Sequence, residues 1–242
     1  MIMKRNITYA VFLLLMFMPI LHVSAQKTYT DLRDKSTYKV VEFGNKLWMA
    51  ENLRYLPSVN PSGNLEPEDF YTEKYYVYGY DGNSVEEAKA TQEYKTYGVL
   101  YNMTAAKKAC PEGWHLAKDS DWKNLEKILG ISGNQLKEIG NRGDDQGSRM
   151  AGDTSLWIVK GDEKIKSDVF GSSGFMALPG GFLGSNGKFI SKGAKASFWT
   201  STEYCEGYSY FRSIGANSKS IYRNKDDDRT AMSVRCVSDY YW

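Results

Sequence analysis

The sequence predicts an α+β fold with two short helices, antiparallel β-hairpins and a long loop region. Three observations predict it. Tyrosine (18), tryptophan (6) and glycine (22) are abundant beside a moderate aliphatic content, a composition of short strands and turns rather than of a helical bundle. Short apolar-alternating runs bounded by turn residues fill the first and last thirds, whereas apolar positions recur at helical spacing only in the middle.

The first residues stand apart. Lys4 and Arg5 precede an apolar run from Ala10 to Leu21 that ends in Val23-Ser24-Ala25, the pattern of a secretory signal peptide. Its apolar core, about a dozen residues, falls short of the ~20 needed to span a bilayer. Residues 1–25 are therefore expected to be removed and residues 26–242 to form a single domain, secreted, periplasmic or at the cell surface. Loss of Lys4 and Arg5 cancels the formal charge of +2. That leaves no electrostatic case for nucleic acid or anionic lipid as a partner, and with no second hydrophobic segment no membrane insertion is expected once the signal is gone.

Within the mature chain, Tyr38-Lys39-Val40-Val41-Glu42-Phe43 and Lys46-Leu47-Trp48-Met49 flank Gly44-Asn45 and read as a hairpin. A Pro, Ser, Gly and Asn cluster over residues 57–68 reads as a surface loop. Tyr71, Tyr75, Tyr76, Tyr78 and Tyr80 then crowd a segment expected to be an inserted hairpin or flap. Met103, Ala105, Ala106 and Ala109 favour a first helix, ended by Pro111 and Gly113. Asp119 or Ser120 is the expected cap of a second, with Trp122, Leu125, Ile128 and Leu129 at helical spacing up to Gly130. Residues 133–171 read as a long loop with room for one small hairpin. The last third returns to strands at 175–178, 188–190, 196–200, 208–212, 220–223 and 232–237, arranged as a meander, with residues 224–229 as the exposed turn of the final hairpin.

Seven stretches occur in order: Asp31-Leu32-Arg33-Asp34, Trp48-Met49-Ala50-Glu51-Asn52-Leu53, Tyr97-Gly98 through Tyr101, Cys110 to Leu116 with Trp122, Gly174-Phe175 through Leu178-Pro179-Gly180-Gly181, Phe198-Trp199-Thr200-Ser201-Thr202-Glu203, and Ser233 to Val237. Together they resemble the Fibrobacter succinogenes major paralogous domain family, over nearly the whole mature chain. The resemblance implies an exported bacterial protein with no established shared activity. Its outline is similar to the C-type lectin-like fold, which implies a bridge between Cys110 and Cys236 across the domain base. The third cysteine, Cys205 beside Tyr204, then reads as a buried small hydrophobe in preference to a reactive thiol or an intermolecular bridge. The terminal strand also resembles that of formylglycine-generating enzymes. The sugar and calcium triplets of true C-type lectins and the second cysteine pair of those enzymes are missing from the sequence, so neither function carries over.

The remaining candidates are local. His115, the only histidine after residue 25, reads as structural, because one histidine builds no histidine-based metal cluster. Asp226, Asp227 and Asp228 could hold a calcium ion with backbone carbonyls. Their spacing lacks the alternating ligand pattern, and Lys225 and Arg229 can neutralise them, so a solvated turn is preferred and no cofactor is expected beyond that possible calcium. Asp144, Asp145 and Asp153 are a weaker cation candidate, and Arg142-Gly143-Asp144 reads as a chance tripeptide. Trp157, Tyr204, Tyr208 and Tyr222 are the candidate ligand-binding residues, since sugar rings pack on aromatic planes in concave polar sites. Packing of these rings in the core and at its edges is the competing account. Any ligand face is expected on the 132–173 loop and the strands around Trp199 and Tyr222. The expected function is recognition or adhesion toward carbohydrate or a surface protein, not catalysis. The alternatives are an enzyme of the formylglycine-generating or carboxylate-pair glycosidase kind, or a structural envelope component.

Overall fold

The computed structural model describes residues 26–63, 65–158 and 165–239; the expected signal peptide lies outside them. Among the described residues, no helix is long and apolar enough to cross a membrane.

In chain order the strands are β1 (Thr28–Thr30), β2 (Thr37–Phe43), β3 (Lys46–Met49), β4 (Tyr75–Tyr76), β5 (Leu100–Tyr101), β6 (His115–Leu116), β7 (Gly140–Arg142), β8 (Phe182–Leu183), β9 (Phe189–Ile190), β10 (Lys195–Cys205), β11 (Tyr208–Gly215), β12 (Ile221–Asp227) and β13 (Cys236–Ser238). The α-helices are α1 (Val85–Ala90), α2 (Gln92–Tyr97), α3 (Met103–Ala109), α4 (Asp119–Ile128) and α5 (Gln146–Met150). This is an α+β arrangement with several antiparallel sheets, but among the described residues five short α-helices form where the sequence predicts two, and β7 and α5 lie in the stretch read as a long loop. A five-stranded sheet has the order β1-β2-β3-β13-β6 and a four-stranded one the order β10-β11-β12-β7; β4 pairs with β5 and β8 with β9.

The β2–β3 hairpin forms where the sequence places it, with Gly44 at φ +62° in the turn. α3 begins after Asn102, whose side chain accepts a hydrogen bond from the Ala105 N–H, as a good N-cap does. α4 is held at its start by Asp121, which accepts from the Lys118 N–H at 2.8 Å. β10, β11 and β12 form the expected meander. The chain then leaves it, because β12 continues through Asp227 and β13 joins the other sheet beside Trp48 and Leu116. Residues 224–229 are therefore not the turn of a final hairpin. The sequence pattern could not separate these cases, since an acidic run is poor in strand propensity.

Two apolar clusters flank both sheets. One contains Leu47, Met49, Tyr101, Trp199, Phe211 and Cys236; the other contains Trp48, Trp122, Phe175, Phe198, Ile214 and Val237. Neighbouring residues such as Trp48 and Met49, or Phe198 and Trp199, point to opposite clusters, as period-two alternation requires. The bridge between Cys110 and Cys236 is present, with Cα atoms 5.8 Å apart. It ties the end of α3 to β13.

Four of the seven quoted motifs meet at Arg235. Its fully buried guanidinium donates to Asn52 Oδ1 (2.9 Å) and to the carbonyls of Met49 (2.9 Å), Phe175 (2.7 Å) and Met176 (2.9 Å). It lies 4.4 Å from the ring centroid of Phe175 and 5.2 Å from that of Phe198. Met176 reaches this position with φ +56°, a conformation a bulky residue adopts only when its surroundings impose it. Burial pushes the guanidinium down to about 9, against the attraction of Glu51. The conspicuous sequence motifs are thus the joints of the core.

Candidate functional site

The strand pair β10–β11 runs out beyond the cores to a tip at Glu206-Gly207. Its pairing is regular from Lys195 opposite Gly215 to Trp199 opposite Phe211, then shifts on either side of the Glu203–Ser209 pair. Such bulges increase twist and re-aim side chains. Gly207, at φ +75°, lies so close to Phe70 that a Cβ there would sit 3.2 Å from the ring, so the tip requires glycine.

Alternation gives the tip two faces with different chemistry. Tyr204, Tyr208 and Tyr210 share one of them. Tyr204 and Tyr208 are 47% and 43% exposed, and Tyr204 meets Tyr210 edge-on with centroids 5.5 Å apart. Lys225, directly across from Tyr210 on β12, holds its Nζ 3.5 Å from the Tyr204 ring centroid. The Arg223 guanidinium lies 4.0 Å over Tyr210, but it is buried and turned to Asp119 through bonds of 2.8 and 3.0 Å. Asp227, across from Tyr208, is likewise held by Arg229 at 2.7 and 3.0 Å.

The opposite face carries Glu203 and opens on a cavity of about 330 Å³ lined by Phe70, Tyr71, Glu203, Glu206, Gly207 and Asp228. Tyr71 is 82% exposed at its edge. Burial holds the Asp228 carboxyl above the usual carboxylate range; Ser209 and Lys107 oppose this and Glu203 adds to it. Three acids line this concavity, and Glu203 is close enough to Asp228 to act on it.

Beneath the sheet lies a charge cluster of structural character. Asp119 also bonds Arg212 at 2.8 Å, and Glu126 accepts from Arg212 (2.6 Å) and Arg142 (2.7 Å). These groups are buried. Arg212 and Arg223 are direct cross-strand neighbours, an unfavourable pair of like charges that Asp119 bridges. Burial opposes ionisation of Asp119, yet Arg223, Arg212 and Lys123 bring its carboxyl well below the ordinary range. Because Arg142 is buried and paired with Glu126, the Arg142-Gly143-Asp144 tripeptide presents no accessible arginine. His115 bonds Asp121 at 2.9 Å, beside Lys46.

The sequence-derived candidates separate. Tyr204 and Tyr208 fall on the exposed tip. Trp157 does not share a solvent face with Tyr222: it is 3% exposed, packs in the second apolar cluster and donates its indole N–H to the Gly152 carbonyl at 2.9 Å. The exposed residue is its neighbour Ile158, at 65%. Tyr222 is half-buried against the first cluster and lies 2.6 Å from the Asn224 amide that donates to it. It does line a concavity of about 310 Å³ with Asn141, Ser213, Asn217, Ser218 and Ser220, on the face expected from the sequence, while Trp199 is wholly internal. Cys205, expected to be buried, is exposed at the tip.

Asp226, Asp227 and Asp228 do not gather into a cation site. Asp226 and Asp227 alternate across β12, Asp227 is taken by Arg229, and Asp226 accepts from the Asp227 N–H at 2.9 Å. Among the described residues, no group of three His, Cys, Asp or Glu side chains is placed to hold a metal ion; this includes Asp144, Asp145 and Asp153, of which Asp145 is paired with Arg149. Tyr210 and Lys225 were not singled out from the sequence. The Tyr208-Ser209-Tyr210 spacing signals that the two tyrosines share a face, but the position of Lys225 depends on a cross-strand register that only the fold supplies.

No curated protein and no solved structure matches the chain. The family model described as the Fibrobacter succinogenes major domain matches residues 41–238. That span runs from the β2–β3 hairpin to the end of β13 and includes every contact of Arg235, and the chain belongs to the Fibrobacter succinogenes major domain family.

Proposed function

We propose that this protein is an exported recognition or adhesion domain of C-type lectin-like type, binding carbohydrate or a partner's glycan at the cell surface through the tip of β10–β11. The carrying observation is the Tyr204, Tyr208 and Tyr210 face. Most of the other large aromatics are buried, yet here two rings stand nearly half exposed beside a third, and aromatic planes offer sugars a surface for their C–H faces. The disulfide that joins α3 to the last strand supports the lectin-like outline, and the family match is compatible with it. A glycan array probed with the mature domain, with and without calcium, tests the reading. Tyr208→Ala should abolish the signal and leave the melting temperature within about 2 °C, as expected for an exposed substitution. Unchanged array binding by that variant overturns the platform.

A second reading attaches to the opposite face. Glu203 and Asp228 share one cavity, and Asp228 is disposed to keep its proton, which is the separation of roles that acid-assisted glycoside hydrolysis uses. Glycan hydrolysis abolished by both Glu203→Gln and Asp228→Asn would favour it.

A further inference from the structure

We infer that the tyrosine face is selective for glycans bearing an anionic group, and that Lys225 is the residue that reads the charge. The inference rests on the platform reading above and adds the ligand class. Of the charged groups on that face, Arg223 is buried and bound to Asp119, which it shares with Arg212 and Lys123, and Asp227 is paired with Arg229. Lys225 is exposed and forms no ion pair with any carboxylate among the described residues. Its ammonium is nevertheless not a freely sweeping surface charge. It is stationed 3.5 Å from the Tyr204 ring centroid, across the strand from Tyr210, where the ring quadrupole holds a cation without cancelling its charge.

A pyranose laid on the exposed rings would bring its substituents against that ammonium. A carboxylate or sulfate there forms an ion pair with the ammonium as well as a hydrogen bond, whereas a neutral hydroxyl accepts the hydrogen bond alone. The acids of the tip, Glu203, Glu206 and Asp228, line the cavity on the other face. An anionic chain therefore has one face that attracts it and one that repels it, which fixes the side of approach.

The test is calorimetric titration of the mature domain with a galacturonic acid hexamer, with the same hexamer methyl-esterified to remove its charge, and with dextran sulfate as the sulfate source. At least one anionic ligand should bind about fivefold tighter than the ester, the upper end of what an exposed ion pair contributes. Preference for the hexamer over dextran sulfate assigns the charge to carboxylate, and the reverse assigns it to sulfate. Lys225→Met should bring the anionic ligand down to the ester's affinity, and Lys225→Arg should restore the preference. Equal affinity for acid and ester, lost in Tyr208→Ala, overturns the charge reading and keeps the platform. An acid preference that survives Tyr208→Ala but not Lys225→Met keeps the charge reading and overturns the platform. Binding of none of the three ligands, or a preference that survives Lys225→Met, overturns the charge reading.

Discussion

Arg235 and Lys225 are both cations laid against aromatic rings, and they serve opposite ends. Arg235 is fully buried, donates four hydrogen bonds, and has Phe175 and Phe198 beside it. Lys225 lies over a half-exposed tyrosine with its ammonium open to solvent. A cation sealed among carbonyls has no capacity left for a ligand, and removing it leaves several acceptors unpaired. A cation left at the edge of a ring adds little to folding and keeps its charge available. The same pairing of groups therefore builds the fold in one place and is free to select a ligand in the other.

The largest expected effect lies at the first site. Arg235→Ala should cost about 3–5 kcal/mol or prevent folding, because Asn52 and the carbonyls of Met49, Phe175 and Met176 lose their common donor inside the core. Urea denaturation measures this. Lys225→Ala in the same assay should stay within about 0.5 kcal/mol of the parent. A comparable loss at both positions would mean that the exposed pair is structural too.

Adjacent residues sharpen the contrast next. Trp157→Ala should cost about 3–5 kcal/mol, as expected for emptying a buried tryptophan site. Ile158→Ala, one residue further on, should cost about 1 kcal/mol or less. If the two cost the same, then Ile158 is also part of the packing and the boundary between core and surface is misplaced.

That pair also shows how much of the molecule could be read from the sequence. The Leu156-Trp157-Ile158-Val159 island marks an apolar segment without saying which member faces inward, because a short apolar run carries no phase. Tyr38 to Met49 was legible, since Gly44-Asn45 between alternating runs fixes both turn and register. The Asp226 to Asp228 run reads as a turn because acidic residues are poor in strand propensity, whereas the pairing of Asp226 and Asp227 with Ser209 and Tyr208 depends on a cross-strand register. The motifs that identified the family could be located but not interpreted. Nothing in Trp48 to Leu53, Gly174 to Gly181 and Ser233 to Val237 taken separately says that they converge on one guanidinium. The tip was half legible: Tyr204 and Tyr208 flank a Gly-containing turn, whereas Lys225 and Asp228 arrive from another strand.

The smallest expected effect separates carboxylate-held cations from those held by carbonyls or rings. Burial pushes the Asp121 carboxyl up, but His115, the Lys118 N–H and Lys46 outweigh it and bring it down to about 2. Asp119, in the cluster with Arg212 and Arg223, is also depressed. A carboxylate depressed on folding contributes stability that is present above its unfolded value of about 3.9 and lost as the pH falls through the folded value. Asp226 and Asp228, raised by burial, act in the opposite sense: their stabilising contribution is present when they are protonated and fades as the pH rises through their folded values. Urea denaturation at pH 7, 4 and 2.5 should therefore show a net loss between pH 4 and 2.5, reduced in Asp121→Asn and deepened in Asp228→Asn. Arg235 donates only to the Asn52 amide oxygen and to carbonyls, so its hydrogen bonds carry no carboxylate protonation through this range and only the attraction of Glu51 is lost. The acid loss should appear as a weakening where α4 meets the four-stranded sheet, with amide exchange rising first around Asp119 and Arg223 and last around Arg235. Exchange that rises first around Arg235 would show that the buried guanidinium depends on ionised groups after all, and would remove the distinction drawn between the two cations.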